Sequence, residues 1–188
     1  ILESRAGLSF ARNTGISSSS GDWILFLDDD VLLPEEFLTT YATAIAKIPS
    51  VTFWGGPVRP HFEGAVPWWT DSVLARMPWC FSALDLGPET KLLSASQTPF
   101  GANMCISGAL ARRLQFSTDF GFKHGSLIAG EETDYFQRAR MQGEQGGWAG
   151  PCGLIHRLPA HRAAWSALVS RCKGQGRTEA ILMHDAGS

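Results

Sequence analysis

The run Trp23-Ile24-Leu25-Phe26-Leu27, followed at once by Asp28-Asp29-Asp30, is the feature that most limits what this chain can fold into. Five consecutive apolar residues predict a strand covered on both faces, as in the parallel part of an α/β sheet. Three adjacent carboxylates at the end of such a strand repel one another in a partly desolvated place, which destabilises the fold unless a cation offsets them. In open α/β sheets ligands bind outside the carboxyl ends of the strands. A hard divalent metal there takes one or two carboxylates and completes its shell with water and phosphate oxygens. The other reading of the same residues is a solvated acidic turn capping the next helix.

The rest of the chain supports an α/β pattern. Ile1-Leu2 reads as the tail of a strand, and Gly7–Ile16 as a helix with Leu8, Ala11 and Ile16 near one face. Pro34 opens a second helix with Glu35 and Glu36 in its first turn, where the helix dipole favours acids. Its apolar stripe is Phe37, Leu38, Tyr41, Ile45 and Ile48. Val51–Trp54 and Asn103–Ser107 read as short strands, and a helix follows over Ala109–Leu114. Gly130-Glu131-Glu132-Thr133-Asp134 opens another helix, and Ala164, Trp165, Leu168, Val169 and Cys172 mark an amphipathic one. Between Gly55 and Thr98 no periodicity is evident, and a stretch that long reads as a functional loop system. Trp68-Trp69 and Trp79 within it fit an acceptor platform, a patch resting on a membrane interface, or core.

Composition excludes some functions. The 44% hydrophobic and 18% charged residues over 188 positions are those of a globular chain able to bury one core. A net charge of −2 without any basic run argues against nucleic acid as partner. Cys80, Cys105, Cys152 and Cys172 lack metal-finger spacing and read as reduced, mostly buried thiols of a cytoplasmic protein.

Three blocks carry a resemblance to the family 2 glycosyltransferases, the inverting group with the GT-A fold. Gly7–Phe37, GLSFARNTGISSSSGDWILFLDDDVLLPEEF, is similar to the stretch leading into that family's Asp-x-Asp motif, with Asp28 and Asp30 at the two motif positions. Phe100–Leu114, FGANMCISGALARRL, resembles the segment that passes beside the donor sugar. Gly130–Asp134 looks like the acidic motif that supplies the catalytic base. The family's opening strand, reading like Val-Pro-Thr-Tyr-Asn, and the Asp-bearing strand after it have no counterpart in this sequence.

The resemblance implies a single domain over 1–188: a three-layer α/β/α GT-A (Rossmann-like) fold with a mixed sheet, truncated at its N-terminal side. It implies transfer of a sugar, with inversion, from a UDP- or GDP-sugar to a glycan or glycolipid acceptor in polysaccharide or glycolipid synthesis. Asp28, Asp30 and His156 would hold Mg²⁺ or Mn²⁺, with Asp28 and Asp29, Arg12, Asn103, Arg162 and Arg171 on the donor. Glu132 would take the acceptor proton, with Glu131 beside it. Chemistry independently asks for such a base and for a Lewis acid at the diphosphate. Each assignment has a structural counterpart: Glu131, Glu132 and Asp134 favour a helix N-terminus, His156 suits a core, and Arg12 suits helix packing. Arg162 and Arg171 suit a solvated helix. Peripheral contact with the inner face of the membrane and a homo-oligomer fit the same reading. A sugar nucleotidyltransferase and a non-catalytic GT-A-like binding module are the alternatives.

Overall fold

The computed structural model describes residues 1–118 and 130–186, with side chains described through residue 180. Its main sheet has five strands in the order β1 (Trp23–Leu27), β6 (Asn103–Ser107), β3 (Phe53–Gly55), β7 (Gly146–Ala149), β5 (Thr90–Leu92). Only the β3–β7 pair in it is parallel. A smaller sheet has the order β2 (Val31–Leu32), β8 (Leu154–Pro159), β4 (Val58–Glu63), with β4 and β8 parallel and β2 antiparallel to β8. The class is therefore α/β with mixed sheets, as expected.

Alternation along the strands explains the layering, because successive side chains leave opposite faces. Ile24, Phe26, Phe53, Met104 and Ile106 pack on α1 (Leu8–Ser17), α4 (Gly108–Arg113) and α5 (Glu131–Met141). Trp23, Leu25, Leu27, Trp54 and Cys105 pack on α2 (Phe37–Lys47). The main sheet is thus the middle of three layers. On one side Phe53 stacks on Phe136 at 4.5 Å, both fully buried. Burying a ring of this kind is worth roughly 1.5–3 kcal/mol, more than the roughly 1 kcal/mol of an average hydrogen bond. Gly146 and Gly147 make room for these rings, since a Cβ on either would lie 2.4–2.5 Å from the Phe53 or Trp54 ring.

Several expectations are corrected. Ile1 and Leu2 form no strand and are almost fully exposed. β1 is antiparallel to its one neighbour and lies at the sheet's edge among the described residues, so its side chains are half-buried although both faces are covered. On α1 the buried residues are Ser9, Arg12 and Ile16, so the inward face is partly polar. On α2 Leu38 is exposed, because the inward face follows Phe37, Tyr41 and Ala44. The region expected to be irregular holds β4, α3 (Thr70–Arg76), a 3₁₀ turn (Pro78–Phe81) and β5. These pack with the 3₁₀ turn Ala160–Ala163 and with α6 (Trp165–Ala186) around Phe81, Leu158 and Leu168.

One regularity positions the site. Each strand of the small sheet directly follows a strand of the large one: β1 leads into β2, β3 into β4, β7 into β8. The chain passes directly from the large sheet to the small one three times, at Asp28–Asp30, at Gly56-Pro57, and at 150–153. Asn103, fully buried at the start of β6 and opposite Leu27, ties two of these crossings together. Its amide nitrogen donates to the carbonyls of Pro57 at 3.1 Å and Cys152 at 2.8 Å, and its oxygen accepts from the Tyr41 hydroxyl at 2.7 Å. Gly56 is packed so closely that a Cβ there would sit 2.6 Å from the amide nitrogen.

Asn103→Ala leaves the Cys152 carbonyl and the Tyr41 hydroxyl without their partner and takes from the Pro57 carbonyl one of its two donors, the other being the Leu154 amide. The expected loss is about 2–4 kcal/mol of unfolding free energy, measurable by urea denaturation. A loss under about 0.5 kcal/mol, the scale of an ordinary surface substitution, would contradict the role assigned to this amide.

Candidate functional site

Asp28, Asp29 and Asp30 form the first crossing between the sheets. The short β2 that follows pairs with β8 so that Val31 faces His156, and the Arg157 amide donates to the Asp30 carbonyl at 2.9 Å. This ladder brings a histidine 126 residues from Asp30 against the aspartates. His156 Nε2 lies 3.0 Å from an Asp30 carboxylate oxygen and 4.0 Å from one of Asp28. One ligand atom from each of the three residues lies within 4.8 Å of the others, a spacing that can hold a metal ion. Asp29 is exposed and stands outside this trio.

The donor set fits a divalent cation. Two carboxylates and one imidazole converge, with the imidazole buried and the aspartates half-exposed, so the position opens to solvent on the carboxylate side. The Asp28 carboxyl is held above its usual range, by burial first, with the charges of Asp30 and Glu132 adding to the effect and His156 and Arg12 opposing it. Charge on Asp28 is therefore costly, and a bound cation would relieve it. Among the described residues the buried His156 Nδ1 has no hydrogen-bond partner, so the ring is oriented by its place on the inward face of β8 and by Asp30.

A second charged cluster stands beside the first. Arg12 on α1 donates to Glu131 at 3.2 Å and to Glu132 at 2.8 Å, both at the start of α5. The side chains of Arg12 and Glu131 are 6% and 2% exposed, whereas that of Glu132 is 20% exposed. Only Glu132 of the pair is thus open to a ligand, with Glu131 behind it. A Cβ on Gly101 would lie 2.2 Å from both the Arg12 guanidinium and the Glu132 carboxylate, so a side chain at 101 is incompatible with the pair. Next to Arg12, Asn13 clamps the backbone of Phe116 with bonds of 2.8 and 2.9 Å, and the guanidinium lies over the Phe116 ring at 5.1 Å. Asp134 is used locally, in an ion pair with Arg138 at 2.7 Å.

Other expected positions lie elsewhere. Asn103 is in the core with every polar atom of its amide engaged, which leaves it nothing to offer a donor. Arg12 is spent on the two glutamates. Arg171 is committed to the turn 78–82, donating to the Cys80 carbonyl at 2.8 Å and the Ser82 hydroxyl at 3.2 Å. Arg162 is half-buried in the turn Ala160–Ala163 that follows β8. Gly101 and the β2–β8 ladder were missed by sequence reasoning. The alternation of Leu154, His156 and Leu158 with Ile155, Arg157 and Pro159 was the signal available for the strand.

The model for the family described as "Glycosyl transferase family 2" matches residues 1–113. Over 181 residues the chain is 26% identical to the succinoglycan biosynthesis protein ExoM of Rhizobium meliloti (strain 1021), covering 95% of this chain and 53% of that protein. Similar solved structures include a mycobacterial protein, with a TM-score of 0.46, 19% identity and coverage of 92% of this chain and 53% of that one. Another is glucosyl-3-phosphoglycerate synthase from Mycobacterium tuberculosis in complex with Mn²⁺, UDP-glucose and phosphoglyceric acid. There the TM-score is 0.42 and the identity 18%, over 92% of this chain and 57% of that one. The chain spans about half the length of the curated relative it matches.

The buried pair gives a pH signature. Burial pushes the Glu131 carboxyl up to about 7, with the Glu132 charge adding and Arg12 opposing. A carboxyl raised in the folded state holds its proton more tightly there than in the unfolded chain, so stability falls as pH rises from 4.5 to about 7. Glu131→Gln removes that dependence. Its melting temperature relative to the wild type should therefore be higher at about pH 8 than at about pH 5. A difference that stays constant across this range would show Glu131 ionised throughout.

Proposed function

Because the chain belongs to glycosyl transferase family 2, its model matching residues 1–113, we propose that it carries the metal and base machinery of a glycosyltransferase. The reaction is transfer of a sugar, with inversion, from a nucleoside diphosphate donor to an acceptor hydroxyl. The observation that carries this reading is the convergence of Asp28, Asp30 and His156 beside the Arg12-bound Glu131–Glu132 pair. The two clusters are close enough for Arg12 and Glu132 to act on the Asp28 charge.

Asp28, Asp30 and His156 would hold the cation, Mn²⁺ better than Mg²⁺, because an imidazole ligand suits a softer ion than an all-oxygen shell does. When bound, the ion supplies a counter-charge for the diphosphate as it leaves. Glu132 takes the proton of the attacking hydroxyl as the new glycosidic bond forms, since it is the exposed member of the glutamate pair. Arg12 fixes the direction of that carboxylate, and Gly101 lets the two approach. Glu131 is a positioning residue behind them. The match to a succinoglycan biosynthesis protein supports a growing polysaccharide as acceptor, and a UDP- or GDP-sugar serves as donor. Among the described residues no helix is long and apolar enough to cross a membrane.

Two variants separate binding from chemistry. Asp30→Ala should abolish Mn²⁺-dependent binding of UDP or GDP in calorimetry while leaving the fold intact, since it removes a repelling charge. Equal affinity in variant and wild type would sink the metal assignment. Glu132→Gln keeps the shape and the Arg12 contact. Donor affinity should persist while turnover falls roughly 100- to 10,000-fold, and turnover at the wild-type rate would move the base elsewhere.

A further inference from the structure

Away from the charged clusters, two thiols distant in sequence meet beside the cluster of Phe81, Leu158 and Leu168. Cys80, 1% exposed on the turn Pro78–Phe81, lies close enough to Cys172 on α6, which is exposed, for the two thiols to interact. α6 is tied to this turn independently of the sulfurs, because the Arg171 side chain donates to the carbonyl of Cys80 at 2.8 Å and to the Ser82 hydroxyl at 3.2 Å. Both cysteines line a cavity of about 380 Å³ walled by Val73, Met77, Leu168 and Val169. Cys105 and Cys152 are both sealed in the core and lack an exposed member with which exchange could start.

We propose that Cys80 and Cys172 form a reversible disulfide that staples α6 to the turn Pro78–Phe81, with Cys172 meeting the oxidant and Cys80 closing the bond. The oxidant is a small-molecule disulfide. The Cys172 thiolate attacks one of its sulfurs, forming a mixed disulfide and expelling one thiolate. The Cys80 thiolate then attacks the Cys172 sulfur, forming the internal bond and expelling the second. Two protein thiols are oxidised, the oxidant is reduced to two thiols, and the two protons released by the cysteines go to the leaving thiolates. Burial, with Cys172 adding, pushes the Cys80 thiol up to about 12, so the closing step is slow at neutral pH. It quickens about tenfold per pH unit while the thiolate is scarce. The bond closes a loop of about ninety residues, which restricts the unfolded chain and fixes one wall of the cavity.

The test is incubation of the purified protein with oxidised glutathione, followed by intact mass and non-reducing peptide mapping. Wild type should pass through a glutathione adduct on Cys172 to a linked Cys80–Cys172 peptide without glutathione, faster at higher pH. Its melting temperature should rise by roughly 5–10 °C. Cys172→Ser should form neither product, and Cys80→Ser should keep the adduct, with Cys80→Ala replacing it where serine in that buried place unfolds the chain. A wild-type adduct that persists on Cys172 with Cys80 free at every pH, or a Cys172 that never reacts, would overturn the proposal.

Discussion

The buried amide of Asn103 is the interaction on which the architecture depends. Three strand-to-strand crossings join the two sheets, and this one side chain binds the carbonyls of two of them. Asn103 itself faces Leu27, the last residue before the remaining crossing, at Asp28–Asp30. No apolar residue could do this, because the Cys152 carbonyl and the Tyr41 hydroxyl would be left unpaired in the core and the Pro57 carbonyl would keep only the Leu154 amide. Once the crossings are fixed, β2 lies against β8, and the aspartates that leave β1 must meet His156. The geometry of the candidate metal position is thus a consequence of sheet topology.

A second constraint is electrostatic. Six ionisable side chains gather at this end of the molecule: Asp28, Asp30, His156, Arg12, Glu131 and Glu132. Arg12 offsets the glutamates from behind, and its burial makes the offset effective, since solvent screens it little. Among the described residues the aspartates have only His156 beside them, and burial first, with the charges of Asp30 and Glu132 adding, holds Asp28 above its usual range. One cluster holds a buried arginine of its own, and the other, with two carboxylates and an imidazole, has the ligand set for a cation. That asymmetry is the strongest physical argument for the division of labour proposed above.

Much of this was legible in the sequence, for reasons that differ by residue. The five-residue strand before the aspartates, the helices around Arg12 and Glu131, and the strand Asn103–Ser107 follow from local pattern, and the structure has them at those places. The aspartates, His156 and the glutamates were chosen on chemistry and on resemblance, and the structure gathers them. What was not legible was long-range pairing. A two-residue strand such as β2 has no periodicity, and β8 alternates only over Leu154–Pro159, so the ladder between them left little local signal. Asn103 and Arg171 were misplaced for a related reason: an amide or a guanidinium suits a diphosphate and a buried carbonyl equally well. Only the partners 46 and 49 residues away for Asn103, and 91 away for Arg171, tell the two apart.

The central claim is that Asp28, Asp30 and His156 are ligands of one cation. The most direct measurement is electron spin-echo modulation of Mn²⁺ bound to the purified protein, compared with the His156→Ala variant. The account predicts a nitrogen coupling from a single imidazole in the wild type and its loss in the variant. Bound Mn²⁺ without that coupling, or a coupling that survives the substitution, would contradict it.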